Sequence, residues 1–323
     1  MKTIRWGIIG AGYIANEFSK AMKVVENSVV YGVASRNIDK AKKFQEQYNI
    51  NKAFGSYEEL VKCDEIDAVY IATLHPFHKE NMLLCLKYNK HVMCEKPITM
   101  NASEIEEVMK VAKEKKLLVM EAMWTRFLPV LQEVKEKIDS GIIGDVNIIQ
   151  GDFGFNAEYN DEGRVYNKKL GGGALLDVGI YVISMAYFFY NKKPSKINAF
   201  SHIGPTGVDH KTAIIFAYDN NNLAQLSCSV SCNTNTELIL NGTKGRIYIP
   251  KFFGTQKYEL EVYGELKEAY ELPFKCNGHE YIIEEFNDCL RNNKTDNEII
   301  PSDETIQIMK TIDEIMTIIG LNY

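Results

Sequence analysis

The first pattern with chemical potential is a pair of closely spaced glycines near the start of the chain. Gly10 and Gly12 stand in the run Gly10–Ala15, which follows an apolar stretch typical of a β-strand and opens a helical pattern. In that context glycines let the backbone turn tightly and approach a pyrophosphate, whose charge is met by amide groups at the helix N-terminus. We therefore predict dinucleotide contacts from Gly10, Gly12, Tyr13 and Ile14.

A second signal stands at the end of the next predicted strand. A turn that binds NAD is expected to place a carboxylate there for the adenosine ribose, whereas this chain has Ser35 and Arg36. A guanidinium in that place pairs with a 2′-phosphate and stacks on adenine, while an aspartate would repel the phosphate. Both residues are therefore predicted cofactor contacts that favour NADP. The alternatives are NAD as the cofactor and a solvated loop arginine.

Glu95, Lys96 and Pro97 follow the fifth predicted strand, at the edge of the sheet where doubly wound folds bind their ligands. Pro97 restrains Lys96 to extended backbone angles, so that its ammonium can point into the crevice. An ammonium near a carbonyl oxygen stabilises developing negative charge or lowers the pKa of a neighbouring phenol. We predict Lys96 as a catalytic residue and both Glu95 and Lys96 as cofactor contacts. A surface salt bridge between these two side chains is the alternative.

Three glycines at 171–173 lead into an apolar helix that contains one carboxylate. Asp177 and Tyr181 lie one helical turn apart and project from the same face. Because a free tyrosine has a pKa near ~10, it needs a cation such as Lys96 to exchange protons readily at neutral pH. Aromatic packing explains residues 187–190 but gives no purpose to a carboxylate in an apolar segment. We therefore predict Asp177 and Tyr181 as catalytic residues.

Aromatic, basic and histidine side chains near these motifs are weaker candidates. An apolar wall for a ring-shaped substrate is predicted from Trp124 and Phe127 with Phe153 and Phe155, and core packing is the alternative. Arg126 is expected at the rim of this pocket or in a pair with a surface acid. The loop after the fourth strand is expected to face the cofactor through Thr73, His75 and His78.

Composition narrows the classes of partner. A net charge of −6 disfavours both nucleic acid and an anionic membrane as partners. The seven cysteines include no CxxC pair, and no HExxH motif accompanies the histidines, so neither a disulfide framework nor a metal site is predicted. The longest apolar stretch, Gly173–Tyr190, carries Asp177 and Gly179 and is typical of a buried helix. A cytoplasmic location is expected.

The elements that position these residues divide into two patterns. Residues 1–122 alternate short β-branched runs with helical periodicity, which predicts βαβ units and a doubly wound parallel sheet in an α/β Rossmann domain. Residues 123–323 contain longer strands of alternating polarity, which predict an α+β domain with a large, open, mostly antiparallel sheet. Three helices are expected to cover one face of that sheet: Asp177–Tyr190, Glu280–Leu290 and Asp303–Ile319.

Together these motifs resemble those of the glucose–fructose oxidoreductase / inositol dehydrogenase (Gfo/Idh/MocA) family. The resemblance runs nearly end to end and rests on the order and spacing of Gly10–Gly12, Ala72-Thr73 with His78, Glu95–Pro97 and Gly171–Gly179. More narrowly, Met120–Phe127, Gly151–Gly154 and Asp177–Tyr181 resemble the subgroup of dimeric dihydrodiol dehydrogenases, also described as NADP-dependent D-xylose dehydrogenases.

The resemblance implies an NADP-dependent dehydrogenase or reductase that acts on CH–OH or CH–CH donors. Its expected substrates are sugars, cyclic diols or related carbonyl compounds. It also implies homodimers formed through the C-terminal sheet and a cis peptide before Pro97. Lys96 corresponds to the catalytic lysine of the family, and Asp177 with Tyr181 to its acid/base pair. Many sugar dehydrogenases of the family have histidine at the position of Tyr181, so their mechanism does not transfer whole.

Three alternative functions retain the same fold. One is a reductase of another unsaturated bond. Another is an NAD-dependent glycosidase that oxidises its substrate transiently. The third is a regulatory sensor that binds NAD(P) without turnover, which is disfavoured because a sensor has no need of Lys96, Asp177 and Tyr181 together.

Overall fold

The computed structural model describes residues 2–323, apart from the side chain at position 266. The chain forms two compact units. The first unit ends at Trp124 and also contains Lys275–Ile306, while the second comprises Thr125–Phe274 and Gln307–Tyr323. The predicted domains, 1–122 and 123–323, did not include this return of the chain to the first unit.

The first unit is built on a parallel sheet. Its strands are β1 (Ile4–Ile9), β2 (Ser28–Ala34), β3 (Lys52–Phe54), β4 (Ala68–Ile71), β5 (His91–Cys94) and β6 (Val119–Glu121). They lie in the order β3-β2-β1-β4-β5-β6, and every adjacent pair is parallel. This order confirms the predicted doubly wound Rossmann fold. The edge strand β3 was not predicted, because three residues are too few to show hydrophobic periodicity.

The α-helices of the described chain are α1 (Tyr13–Ala21), α2 (Ile38–Tyr48), α3 (Tyr57–Val61), α4 (His78–Lys87), α5 (Ala102–Lys115), α6 (Pro129–Asp139), α7 (Ile180–Tyr190), α8 (Glu280–Arg291) and α9 (Ser302–Ile319). Each of the helices α1 to α5 connects two successive strands of the parallel sheet. The cap of α5 is Asn101, whose side chain accepts the amide of Glu104.

Helix α8 belongs to the first unit, which corrects the expectation that Glu280–Leu290 covers the C-terminal sheet. The Phe286 ring lies 4.8 Å from that of Trp6 in β1, and Asn287 accepts a hydrogen bond from the Trp6 indole at 3.1 Å. Trp6 is fully buried, so its indole N–H requires such a partner. The apolar face of α8 therefore completes the core of the first unit.

The second unit is built on a mixed sheet. Its strands are β7 (Val146–Gly154), β8 (Lys196–Ile203), β9 (Asp209–Ala217), β10 (Leu223–Ser229), β11 (Glu237–Gly242), β12 (Gly245–Pro250), β13 (Lys257–Val262) and β14 (Leu266–Glu271). Their order is β14-β13-β12-β11-β7-β10-β9-β8, and only the pair β7–β10 is parallel among these described strands. The prediction of a mostly antiparallel sheet is confirmed. The polar edge strand β14 was not predicted.

One helical stretch of the second unit, Lys168–Tyr190, is long and apolar enough by length and composition to cross a membrane. Its most apolar window is entirely buried inside the protein. Every residue of α7 is buried, so the helix is a core element of this unit.

Candidate active site

The glycine turn between β1 and α1 has the geometry of a phosphate cradle. Gly10 has a φ of +97°, and a Cβ placed there would lie 2.8 Å from the carbonyl oxygen of Ala72, so that only glycine fits this position. At Gly12, which precedes α1, no described atom beyond Gly12 and its two chain neighbours lies within 4 Å of such a Cβ. The open space beside the amides of the first helical turn fits a pyrophosphate. Tyr13 is 80% exposed and Ile14 is half-buried.

Ser35 and Arg36 follow β2 as predicted. Ser35 is buried and its hydroxyl accepts the amide of Asn37 at 3.3 Å. The guanidinium of Arg36 lies 5.6 Å from the centre of the Phe77 ring, which stands in the short helix after β4. Sequence reasoning missed Phe77, although its place after a central strand of a parallel sheet was a usable signal.

His78 joins the loop after β4 to the loop after β5. Its ring nitrogens lie 2.9 Å from the carbonyl oxygen of Pro97 and 3.0 Å from that of Thr73. The side chain is fully buried, and this burial lowers its pKa. A neutral ring donates a hydrogen bond to one of these two carbonyls and only contacts the other, so His78 packs between the two loops. The ring of His75 packs at 5.8 Å from that of His78.

Glu95 and Lys96 leave β5 in different environments. Glu95 is buried and accepts a short hydrogen bond from the hydroxyl of Tyr70. Burial raises its pKa to about 6, against the opposing effects of Tyr70 and of the Lys96 charge. Lys96 is half-buried and precedes a cis peptide bond to Pro97, which the resemblance had implied. The predicted cofactor residues Thr73, His78, Glu95 and Lys96 thus belong to one group of loops in the first unit.

Asp177 lies within a π-helical segment, Leu175–Gly179, that runs directly into α7. Such segments are rare and occur frequently at functional sites. Asp177 is 6% exposed, and its carboxylate lies 3.1 Å from the guanidinium of Arg164. Arg164 was missed because nothing in the local sequence links it to a residue thirteen positions later in the chain.

Tyr181 lies one turn beyond Asp177 and is 7% exposed. Its ring centre is 5.3 Å from that of Phe153 and 6.4 Å from that of Phe253. Phe153 and Phe253 stack on each other at 4.6 Å. Phe253 was missed by sequence reasoning, although the adjacent aromatic pair after β12 was an available signal. The phenol is thus held at an aromatic wall to which the predicted residue Phe153 contributes.

The other predicted substrate residues have different surroundings. Trp124 belongs to the first unit and stacks on His279 at 4.3 Å. Phe127 is 5% exposed in the second unit. The structure corrects the expectation that Arg126 lies at a pocket rim or pairs with a surface acid, because its side chain is 1% exposed. Its guanidinium donates to the hydroxyl and the carbonyl of Ser184 and lies 5.5 Å from the Phe188 ring.

The catalytic residues predicted from the sequence are therefore distributed over both units. Lys96 belongs to the first, whereas Asp177 and Tyr181 belong to the second. Within residues 2–323 no group of three or more His, Cys, Asp or Glu side chains has an arrangement that could hold a metal ion.

Comparison with known proteins identifies the family of both parts of the chain. Residues 4–123 match the family model GFO_IDH_MocA, described as an oxidoreductase family with an NAD-binding Rossmann fold, and residues 131–248 match the GFO/IDH/MocA C-terminal domain. The trans-1,2-dihydrobenzene-1,2-diol dehydrogenase of Mus musculus is 35% identical over 99% of this chain and 98% of its own. The human enzyme of the same name is 33% identical over the same shares.

Solved structures show the same fold. KijD10, a 3-ketoreductase from Actinomadura kijaniata in complex with NADP and TDP-benzene, is 25% identical, with a TM-score of 0.87 over 98% of each chain. The aldose-aldose oxidoreductase from Caulobacter crescentus has a TM-score of 0.90 at 22% identity and covers 98% of this chain and 97% of its own. The predicted family is confirmed, and the chain belongs to the Gfo/Idh/MocA oxidoreductases, which carry an NAD(P)-binding Rossmann domain.

Proposed function

We propose that this chain is an NADP(H)-dependent dehydrogenase or reductase of sugars, cyclic diols or related carbonyl compounds. The observation that carries the proposal is the placement of Tyr181, one turn from Asp177 and against the rings of Phe153 and Phe253. A proton-exchanging hydroxyl beside an aromatic wall suits a ring-shaped substrate that carries hydroxyl groups. The names of the relatives, which are diol and sugar oxidoreductases, support the same substrate class.

NADP is favoured as the cofactor because Arg36 supplies a cation where an NAD-binding turn has a carboxylate. The stack with Phe77 holds that cation at the end of β2. The glycine turn would hold the pyrophosphate, and the structure neighbour KijD10 was solved with NADP. When bound, the nicotinamide supplies a hydride donor or acceptor to the substrate carbon.

The roles of the side chains follow from their chemistry. The Tyr181 phenol exchanges the proton on the substrate oxygen, and Asp177 orients this phenol from the preceding turn of the helix. Lys96, the catalytic lysine that the family resemblance implies, supplies a positive charge that stabilises negative charge on the substrate oxygen. Arg164 forms an ion pair with the Asp177 carboxylate at 3.1 Å and so helps to orient it.

The experiment that tests the function is a screen for reduction of NADP+, followed by absorbance, with aldoses, inositols and cyclic diols. We expect turnover with at least one class of vicinal diol or aldose, and a preference for NADP+ over NAD+. Dinucleotide binding without turnover on the whole panel would contradict the proposal and favour a sensor. Release of a leaving group from glycosides without net change in absorbance would favour a glycosidase.

We further propose a homodimer that forms through the open face of the second sheet. Phe200 in β8 is 81% exposed and Ile215 in β9 is 41% exposed, whereas their neighbours Ala199 and Ile214 are buried. The two large apolar side chains therefore share the uncovered face. Light scattering is expected to give a dimer mass for the wild type and a monomer mass for Phe200→Glu. Tyr263→Glu, a change at an exposed turn residue, is the matched control and should leave the dimer intact.

A cytoplasmic location stays a proposal. It is supported by the seven cysteines, all of which are free thiols in the structure, as a reducing compartment would keep them.

A further inference from the structure

A buried carboxylate anchors the beginning of the helix that carries the candidate catalytic pair. Asp209, the first residue of β9, is fully buried. One of its carboxylate oxygens accepts the backbone N–H of Leu175 at 2.8 Å and the hydroxyl of Thr212 at 2.7 Å. Leu175 is the first residue of the π-helical segment that contains Asp177. Since amides at a helix start have no partner within the helix, this bond fixes where the segment begins.

Tyr323 contacts the glycine turn at residues 171–173, which precedes the π-helical segment. Its hydroxyl donates to the carbonyl of Gly172 at 2.5 Å. Gly173 has a φ of +115°, and a Cβ placed there would lie 2.4 Å from the other carboxylate oxygen of Asp209 and 2.8 Å from the Tyr323 hydroxyl. The absence of a side chain at Gly173 therefore lets both groups approach the backbone immediately before the catalytic segment.

Further hydrogen bonds hold the turn at Gly172 and Gly173. Asn322, beside Tyr323, accepts a hydrogen bond from the ammonium of Lys168 at 2.7 Å, so the segment after α9 is tied to the turn at two points. On the other side of the turn, the amide of Gly173 donates to the carbonyl of Val165 at 2.9 Å. Val165 follows Arg164, the residue that pairs with Asp177. The backbone before the catalytic segment is thus held from three sides.

Asp209 and Tyr323 have the protonation states that these hydrogen bonds require. Burial raises the pKa of Asp209 to about 6, so its carboxylate is mostly charged at neutral pH and accepts hydrogen bonds. Tyr323 is 39% exposed but its hydroxyl is partly buried, and this burial, together with the nearby carboxylates of Asp209 and Asp177, raises the pKa of Tyr323 above its ordinary value. Its phenol therefore stays protonated and remains a donor to Gly172.

We propose that Asp209 and Tyr323 are positioning residues that set the orientation of Asp177 and Tyr181. This inference rests on the proposed function of those two residues. A π-helical turn is wider and rarer than an α-helical one, so outside contacts decide where its side chains point. Loss of either anchor lets the segment shift, which misdirects the carboxylate and the phenol without removing them.

The test compares Tyr323→Phe and Asp209→Asn with Tyr190→Phe. Tyr190 is the matched control because its hydroxyl also donates to a backbone carbonyl, that of Leu223 at 2.8 Å, but at the far end of the same helix. Both anchor variants are expected to lower kcat by about tenfold to a hundredfold, because small misplacements of catalytic groups have effects of that size. The affinity for NADPH should not change. Tyr190→Phe should lower the thermal midpoint to a similar extent and leave kcat unchanged.

Hydrogen–deuterium exchange of residues 171–181 supplies a readout that needs no turnover. Both anchor variants should exchange faster in this segment than the wild type, and Tyr190→Phe should not. If the wild type fails to reduce NADP+ with every substrate of the panel, the proposed function is wrong. The exchange experiment then still decides whether Asp209 and Tyr323 hold the helix. Unchanged exchange and unchanged kcat in Tyr323→Phe would overturn the inference, as would an equal loss of kcat in Tyr190→Phe.

Discussion

The guanidinium of Arg36 lies over the ring of Phe77 at 5.6 Å, which joins the end of β2 to the loop after β4. A cation held against an aromatic face is restricted in orientation and retains its charge for a phosphate. This pair supports the proposed preference for NADP over NAD.

Arg36→Ala should therefore weaken binding of NADPH by about tenfold to a hundredfold, the loss expected for a charge-assisted hydrogen bond. Binding of NADH should not change, because it has no 2′-phosphate. Fluorescence titration with both dinucleotides measures the effect. Lys43→Ala, which removes an exposed cation from α2, is the control for general electrostatics. Equal affinities of the wild type for NADPH and NADH would contradict the assignment.

Lys96→Met and Tyr181→Phe should each lower turnover by about a hundredfold to ten-thousandfold, the range expected for loss of acid–base catalysis. Cofactor binding should persist in both variants, since neither change touches the glycine turn; the affinity should fall slightly in Lys96→Met, which removes one predicted contact, and stay unchanged in Tyr181→Phe. Steady-state kinetics and NADPH titration give the two quantities. Near-normal turnover in both variants would exclude the proposed roles, while Tyr190→Phe controls for the loss of a phenol from α7.

Two arginines of the second unit, Arg126 and Arg164, provide a matched pair. Arg126→Met removes a buried guanidinium that donates to Ser184, so the free energy of unfolding should fall by about 2 kcal/mol or more, with KM unchanged. Arg164→Met removes the partner of Asp177, so kcat should fall with little loss of stability. Urea unfolding and steady-state kinetics on both variants separate the two roles. A raised KM without destabilisation in Arg126→Met would restore the pocket-rim interpretation.

His279 predicts a dependence of stability on pH. Its ring is buried against Trp124, neither ring nitrogen has a hydrogen-bond partner among the described residues, and burial lowers its pKa to about 4. The unfolded chain takes up a proton below about pH 6.5, whereas the folded chain does so only near pH 4. Stability is therefore lost as the pH falls from 6.5 to 4, by about 3 kcal/mol in all.

His279→Phe keeps the stack on Trp124 and removes both unpaired nitrogens. We expect it to raise the free energy of unfolding at pH 7 by about 1–3 kcal/mol and to flatten the acid dependence between pH 6.5 and 4. Urea unfolding at pH 7 and pH 5 measures both effects. His202→Gln, at an exposed histidine, should change neither. An unaltered acid slope in His279→Phe would show that another group is responsible.

Much of the fold could be predicted because its signals are local. The strands Ile4–Ile9 and His91–Cys94 coincide with short β-branched runs between helical patterns, and such runs indicate parallel strands wherever they occur. The glycine turn was recognisable from the order of strand, glycines and helix. Asp177 and Tyr181 were predicted because their spacing alone puts them on one face of a helix.

Other features depended on residues far apart in the chain. The apolar face of α8 was visible in the sequence, but only the tertiary structure shows that it packs on Trp6. The hydrogen bond between Trp6 and Asn287 of α8 spans 281 positions. Likewise Arg126 shows its charge in the sequence, whereas its burial against Ser184 depends on the packing of α7.

The sequence by itself determined the family, the two kinds of sheet and the residue types available for chemistry, because periodicity and motif spacing are properties of neighbouring residues. Only the tertiary structure decided what surrounds each of those residues. The contacts of Asp209 with Leu175, and of Tyr323 with Gly172, span 34 and 151 positions and leave no local pattern. Their existence depends on how β9 and the segment after α9 pack against one glycine turn, since burial and hydrogen bonding are set by the whole folded chain.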